Sequence, residues 1–123
     1  MALPALTRAA KLQRRAARVG FDWPDLRPVL DKIDEELAEL RRELEAERKP
    51  DRIGDEVGDL LFAIVNLARH LHIDPEEALR GTNRKFERRF GAIERALSEQ
   101  GRAIEAARLD ELEAFWQAAK TQE

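Results

Sequence analysis

The chain has 123 residues, 22 Lys and Arg against 25 Asp and Glu, and a formal net charge of −3, and this length predicts a single domain over residues 1–123. It contains no cysteine, which excludes a disulfide framework, a thiolate zinc site and a cysteine nucleophile and leaves a cytoplasmic location as the default expectation. The charges nearly cancel and no apolar run reaches the roughly 20 residues that span a bilayer, so we expect neither nucleic acid nor a membrane as a partner.

Helix-forming residues dominate the sequence, and the breaks between them predict five helical segments. The first predicted helix runs from about Thr7 to Val19. Residues 20–28 follow with a glycine, two prolines and two aromatic residues, and are predicted to form a structured loop. The second helix carries apolar residues alternately three and four positions apart from Leu30 to Leu44, which places them in one narrow stripe.

The third predicted helix follows a break at Pro50, because proline disfavours helical structure at the residue before it. Its apolar positions extend from Ile53 to Leu71, and residues 60–65 are apolar on all sides, so we expect this helix to be the most buried. Phe62 lies opposite the main stripe. A second surface must therefore cover it, and a homodimer is the simplest explanation.

Two capping patterns predict where the last two helices begin. Asp74 precedes Pro75 and lies three residues before Glu77, which is the arrangement of a capped helix start. Asp110 and Glu113 repeat the spacing before a short apolar run. Long amphipathic helices joined by short breaks indicate an all-α fold, an antiparallel helical bundle.

Acidic residues on the second and third helices are arranged in a way that helix stability does not explain. Asp31, Glu35, Glu39 and Glu43 follow one another at intervals of four residues, and like charges at that spacing are mildly destabilising. A solvated acidic face is the ordinary interpretation of such a run. A binding site for a cation is the alternative.

The third helix favours the alternative, because Glu56 and Asp59 are three residues apart and share a face beside its apolar stripe. If the second and third helices pack along their stripes, Glu36 and Glu39 point into the same seam. Four carboxylates in one seam cannot all stay ionised without raised pKa values or bound cations.

The ligand chemistry indicates which cation would bind there. Oxygen ligands alone favour a hard ion, Mg²⁺ or Mn²⁺. A di-iron bundle would use a Glu-x-x-His pair on each of two helices, and neither acidic pair here ends in histidine. His70 and His72 lie far along the third helix from Glu56 and are expected at the surface.

The fourth and fifth helices carry cations and an aromatic residue at helical spacing. Lys85 and Arg89 are four residues apart, and are either part of a solvated basic face or ligands of a phosphate whose other side is held by Mg²⁺. Trp116 and Lys120 have the same spacing, and Trp116 either packs in the core or contacts a base or ribose.

Several segments in order resemble the MazG-type nucleoside triphosphate pyrophosphohydrolases, in particular the C-terminal domain of the tandem bacterial MazG proteins. The signature of that family is Glu-Glu-x-x-Glu, a spacer and Glu-x-x-Asp, which this sequence contains as EELAE at 35–39 and EVGD at 56–59. Flanking segments are also similar: VGFDW at 19–23, GDLLFA at 58–63, NLARH at 66–70 and NRKFERRF at 83–90. The tandem proteins have two such domains and this chain has one, so it is either a stand-alone enzyme or part of a longer protein.

The resemblance implies a role for each matching position. It implies Mg²⁺ ligands, with Mn²⁺ as an alternative ion, at Glu36, Glu39, Glu56 and Asp59. It implies that Glu35 and Asp55 are neighbouring carboxylates that handle water or substrate. The implied ligands of the triphosphate are Lys32, Arg52, Lys85 and Arg89, and the implied contacts near the nucleoside are Trp116 and Lys120.

The implied activity is hydrolysis of a nucleoside triphosphate between its α and β phosphates, with nucleoside monophosphate and pyrophosphate as products. Glu35 or Glu39 would orient or deprotonate the attacking water. The sequence lacks a glycine-rich phosphate loop of the Walker type, which disfavours kinase or motor chemistry. A non-catalytic helical interaction module with a decayed site is the competing hypothesis, and a nucleic-acid binder is a distant third because basic and acidic residues are interleaved.

Overall fold

The computed structural model describes residues 2–46 and 49–123, and within these ranges all regular structure is helical, which confirms the all-α fold class. The α-helices are α1 (Ala5–Arg18), α2 (Leu26–Glu45), α3 (Pro50–His70), α4 (Pro75–Glu99) and α5 (Leu109–Thr121), with a short 3₁₀ helix at Ile104–Ala106. The chain forms two compact units, one up to Ala78 and one from Leu79 onwards. A single domain over residues 1–123 stays a prediction.

The starts of α3 and α4 are those that the sequence predicts. The helix α3 begins at Pro50, whose missing N–H costs nothing at a first helical position. The carboxylate of Asp74 accepts hydrogen bonds from the backbone N–H groups of Glu76 (3.0 Å) and Glu77 (3.2 Å), and α4 begins at the intervening Pro75. Both boundaries are therefore explained by local chemistry alone.

The predicted loop at 20–28 is too long at its C-terminal end. The helix α2 begins at Leu26, so Pro28 lies inside its first turn. Asp25 caps this helix, with its carboxylate accepting a hydrogen bond from the N–H of Arg27 at 3.1 Å. Proline is compatible with a first turn because the N–H that it lacks would have no partner inside the helix.

The predicted cap at Asp110 is wrong. The helix α5 begins one residue earlier, at Leu109, and Arg108 is at the cap position without a side-chain capping bond. Asp110 lies in the first turn and accepts a hydrogen bond from the N–H of Glu111 at 3.0 Å. Its charge still stabilises the helix there, because the N-terminal end carries a positive partial charge.

The core of the first unit is small and lies where α3 packs against α2 and α1. Its buried apolar residues are Ala10 of α1, Val29 of α2, and Ala63 and Val65 of α3. Small side chains at these positions allow the helix axes to approach closely. In the second unit, Ile93 and Leu97 of α4 are buried.

The middle of α3 is only partly buried, which corrects the prediction of a helix enclosed all round. Leu61, Phe62 and Ile64 are 50%, 47% and 45% exposed, whereas Ala63 and Val65 are buried. The helices α1 and α2 pack against α3, but leave these three apolar side chains about half exposed. The homodimer expected to cover it stays a prediction.

A largely buried histidine and an arginine hold the loop between α1 and α2, a feature that the sequence did not predict. Asp22 of this loop receives two hydrogen bonds from Arg69 (2.6 and 3.1 Å) and lies 2.9 Å from Nε2 of His70. His70, expected at the surface, has a side chain only 12% exposed. The Arg69 guanidinium first, and His70 in addition, lower the pKa of Asp22 from 3.8 to about 2. We call these three residues the loop anchor.

Replacing Asp22→Asn should therefore lower the free energy of unfolding at pH 7 by about 1 kcal/mol, a value reduced for partial exposure of the carboxylate. The folded-state pKa is depressed, so this stabilisation is present above pH 3.8 and is lost as the pH falls toward 2. Urea unfolding at pH 7 and pH 3 measures both effects. The exposed Asp31→Asn is the matched control, and an equal loss in that variant would contradict the anchor.

Candidate functional site

Three carboxylates converge between α2 and α3, and we call them the carboxylate cluster. Glu36 of α2 and Glu56 and Asp59 of α3 each offer one oxygen atom, and these atoms lie within 4.8 Å of one another. Glu56 and Asp59 share a face of α3 because they are three residues apart. That face is turned to α2, where Glu36 is only 5% exposed. Residue spacing predicts that these three carboxylates meet in one seam together with Glu39, and the three are found within this distance of one another.

Two oxygen atoms of the cluster have no hydrogen-bond partner. Oε2 of Glu36 and Oε2 of Glu56 are buried, and no donor in the described ranges 2–46 and 49–123 reaches either of them. A buried acceptor without a partner costs free energy because it has given up its water. One such atom comes from each helix, so a positive charge or a hydrogen-bond donor placed between the two helices would stabilise the cluster.

The raised pKa of Glu56 also indicates that the cluster lacks positive charge. Burial contributes most to raising the pKa of its carboxyl group, followed by the negative charges of Glu39, Glu36 and Asp59. Glu39 also lies close enough to share a hydrogen bond with Glu56. Glu39, a predicted metal ligand, is therefore beside the cluster, although its oxygens are outside the 4.8 Å group.

Lys32 lies at the cluster and contributes a positive charge there. Its Nζ lies 3.0 Å from Oε1 of Glu36 and 3.5 Å from Glu35, and the bond to Glu36 contributes most to raising the lysine pKa. It does not balance the cluster, because the pKa of Asp59 is also raised, by burial first and then by the charges of Asp55 and Glu36. Lys32 counters that shift only in part.

The cluster suits a divalent cation. Its ligand atoms are all carboxylate oxygens, which hard ions prefer. A cation among Glu36, Glu56 and Asp59 would give both unpartnered oxygens a ligand. Its positive charge would also oppose the repulsion that raises the pKa of Glu56. The residues present therefore fit such an ion.

The remaining predicted residues of the first unit are less close to the cluster. Glu35 has a side chain 57% exposed and shares Lys32. Asp55 is exposed one turn before Asp59. Arg52 reaches Glu43 of α2, at 3.6 Å, rather than any member of the cluster.

In the second unit, Arg89 is held by a carboxylate. Its Nε and one terminal nitrogen donate to the two oxygens of Glu123 at 3.0 and 2.8 Å, a paired arrangement that a phosphate group can also accept. The Arg89 contacts lower the pKa of Glu123 most, and Arg88, at 4.0 Å, and then Lys85 add smaller electrostatic effects. Lys85 and Arg89 thus act on one anion.

Trp116 packs in the second unit beside these cations. Its ring centroid lies 5.6 Å from that of Phe86, and the Arg89 guanidinium lies 5.4 Å above it. The ring is half-buried rather than enclosed, so its packing in the second unit leaves part of it exposed. Lys120 is exposed one turn further along α5.

A cavity of about 700 Å³ adjoins the cluster in the first unit. Glu36 and Asp59 border it, together with Trp23, Gln13 and Asn66. Sequence reasoning missed Gln13 and Asn66 as candidates. The sequence contains a pattern that could have identified them, because each is a polar residue among apolar ones. Gln13 lies among the alanines of α1, and Asn66 interrupts the apolar run of α3.

Comparison with known proteins gives a consistent family match. The MazG nucleotide pyrophosphohydrolase domain family matches residues 27–92, a segment that contains the whole carboxylate cluster. The chain is 48% identical over 122 residues to the nucleoside triphosphate pyrophosphohydrolase of Escherichia coli K12, covering 98% of this chain and 46% of that protein. It is 43% identical over 118 residues to the nucleoside triphosphate pyrophosphohydrolase/pyrophosphatase MazG of Thermotoga maritima, covering 96% and 45%. The chain thus spans just under half the length of these curated relatives.

Replacing Glu56→Gln should change stability in opposite directions without and with a divalent cation. The raised pKa means that ionised Glu56 destabilises the metal-free fold as the pH rises, so the neutral amide should raise the melting temperature at pH 8. Millimolar Mn²⁺ should stabilise the original chain by several degrees and the variant by far less. Calorimetry at pH 8 measures both.

The exposed Asp34→Asn on α2 is the matched control for this substitution and should respond to Mn²⁺ like the original chain. Equal stabilisation of all three proteins by Mn²⁺ would contradict binding at the cluster.

Proposed function

Since the chain belongs to the MazG nucleotide pyrophosphohydrolase family, we propose that it hydrolyses nucleoside triphosphates between the α and β phosphates. The products are a nucleoside monophosphate and pyrophosphate. The observation that carries the proposal is the carboxylate cluster, where Glu36 and Glu56 each have a buried oxygen without a partner. The printed names of the relatives support the same reaction, although the chain covers just under half of each.

The proposed cofactor is Mg²⁺, for which Mn²⁺ can substitute, held by Glu36, Glu39, Glu56 and Asp59. When bound, the ion supplies positive charge to phosphate oxygens and Lewis acidity at the scissile anhydride. The proximity of Glu39 to Glu56 supports its inclusion in the ligand set.

The protein's own part in the chemistry is to take up a proton and orient the water. Glu35 or Glu39 accepts the proton as the water oxygen bonds to the α phosphorus and the bond to the bridging oxygen breaks. Glu35 is suited to the role because it is partly exposed and lies 3.5 Å from Lys32, which orients it. The pyrophosphate leaves with the bridging oxygen.

We propose that the cations neutralise charge that develops on the phosphates. Lys32 is best supported, because it already lies 3.0 Å from Glu36. To bind a phosphate oxygen, Arg52 would release Glu43, and Arg89 would release Glu123. The full set of proposed substrate-binding residues is Lys32, Arg52, Asp55, Lys85 and Arg89 around the triphosphate, and Trp116 and Lys120 near the nucleoside.

A homodimer is proposed for the same protein. Leu30, Leu37 and Leu44 follow one another at intervals of seven residues on α2 and are exposed, as are Leu61 and Ile64 on α3. Such apolar stripes are typical of surfaces that meet another chain. The mass from light scattering tests this assembly.

In the described part of the chain, no helix combines the length and apolarity that crossing a bilayer requires. A cytoplasmic location and the absence of a membrane or nucleic-acid partner stay predictions.

Three substitutions distinguish the proposed roles of the carboxylates. Glu39→Gln and Asp59→Asn should lower Mg²⁺-dependent pyrophosphate release at least 100-fold and weaken Mn²⁺ binding, because each removes a charged ligand. Glu35→Gln should lower kcat by roughly 100-fold while Mn²⁺ binding is retained, because it removes only a proton acceptor. Pyrophosphate release and calorimetric Mn²⁺ titration measure the two properties.

Asp34→Asn serves again as the control, since it removes an exposed carboxylate from α2 without touching the cluster. It should retain full activity. Full activity in both Glu39→Gln and Asp59→Asn would overturn the cation site, and a chain without pyrophosphate release would favour the non-catalytic interaction module.

A further inference from the structure

The carboxylate of Glu123 occupies the anion-binding face of Arg89 in the second unit. Nε and Nη2 of Arg89 donate to the two carboxylate oxygens at 3.0 and 2.8 Å, so the paired donors of the guanidinium are already in use. A phosphate group offers two oxygens in a similar geometry and binds to the same pair of donors. A phosphate and the Glu123 carboxylate therefore cannot use this face of Arg89 at the same time.

Arg89 is a largely buried cation that aromatic side chains hold in position. Its side chain is 12% exposed, and its guanidinium lies 5.4 Å from the centroid of the Trp116 ring. The Trp116 ring packs against Phe86, and Phe86 stacks on Phe90, with 5.6 Å between ring centroids in both pairs. A guanidinium held on an aromatic face loses little further freedom when it binds an anion. The pair with Glu123 is therefore stronger than an ion pair between exposed, mobile side chains.

Further cations make the surroundings of Glu123 positive. Nη2 of Arg88 lies 4.0 Å from Oε1 of Glu123. The contacts with Arg89 hold the pKa of Glu123 below its usual range, and the charges of Arg88 and Lys85 add to this effect. These cations together carry more positive charge than one carboxylate balances. The group therefore suits an anion of higher charge, such as a triphosphate, better than it suits Glu123 alone.

Glu123 competes for this site as part of the same chain. It lies two residues beyond the end of α5, and the contact of Trp116 with Phe86 keeps α5 beside α4. A tethered group on a short connection reaches an effective concentration in the millimolar range. Glu123 is also 33% exposed, so a dissolved anion can reach it. An anion that binds Arg89 must displace Glu123, and its apparent affinity is reduced accordingly.

We propose that Glu123 is an autoinhibitory residue, whose carboxylate takes the place of a substrate phosphate on Arg89 and must be displaced before the triphosphate binds there. The inference rests on the proposed function, because it assigns Arg89 to the triphosphate. The ligand that opens the contact is a polyphosphate, either free or as part of a nucleotide. Glu123 thus raises the KM for the substrate and takes no part in breaking the anhydride bond.

Glu123→Gln is the direct test, because the amide keeps the shape of the side chain and removes its charge. Calorimetric titration with inorganic triphosphate and Mg²⁺ should show roughly fivefold tighter binding to the variant than to the original chain. The KM for nucleoside triphosphates should fall by about the same factor, with kcat nearly unchanged.

Glu111→Gln is the matched control. It breaks a similar paired contact on α5, between Glu111 and Arg102 at 2.6 and 2.7 Å, without touching Arg89. It should leave both the affinity for triphosphate and the KM unchanged.

The variant Arg89→Met determines whether the effect of Glu123 acts through Arg89. In this background, the further change Glu123→Gln should alter triphosphate affinity by less than about twofold, because there is no pair left to open. If Arg89→Met binds triphosphate too weakly to measure, Glu123→Gln and its control decide alone.

Unchanged or weaker triphosphate binding in Glu123→Gln would overturn the inference, as would an equal gain in Glu111→Gln or in the Arg89→Met background. The binding measurement separates this result from failure of the proposed function. Tighter binding in Glu123→Gln without pyrophosphate release from any of these proteins would overturn hydrolysis and leave the autoinhibitory contact standing. Pyrophosphate release with the same KM and the same affinity in Glu123→Gln would overturn the contact and leave hydrolysis standing.

Discussion

Mutual repulsion within the carboxylate cluster is the constraint on which the rest of the site depends. Packing of α3 against α2 holds Glu36, Glu56 and Asp59 together, although burial and like charge both raise the pKa values of Glu56 and Asp59. Lys32 relieves part of this repulsion. The apolar contacts of the two helices thus hold together carboxylates that repel one another, an arrangement that a bound divalent cation would stabilise.

The nearly neutral composition conceals a local separation of charge. Acidic residues gather on facing sides of α2 and α3, whereas Lys85 and Arg89 act together on one carboxylate, that of Glu123, in the second unit. Taken separately, the acidic cluster of the first unit suits a divalent cation, and Arg89 in the second unit holds a carboxylate in an arrangement that a phosphate group can also accept.

Features set by short-range patterns were predictable from the sequence. Three such features depend only on residues that are close together in the sequence, and the structure contains all of them. They are the shared face of Glu56 and Asp59, the helix cap at Asp74 and the helix start at Pro50. In the loop anchor, Asp22 bonds to Arg69, which is 47 positions later in the sequence, and to His70, which is 48 positions later. The hydrogen bond from Gln13 to Phe62 joins residues that are 49 positions apart. No local pattern specifies such pairs, because they exist only after the helices pack.

The most direct test of the account is the position of Mn²⁺ in a crystal of the full chain grown with an α,β-methylene nucleoside triphosphate. Anomalous scattering locates the ion without reference to activity. We predict a peak bonded to carboxylate oxygens of Glu36, Glu56 and Asp59, with the triphosphate beside it. A well-ordered nucleotide with Mn²⁺ held by other residues, or with no ion at these three, would contradict the central claim.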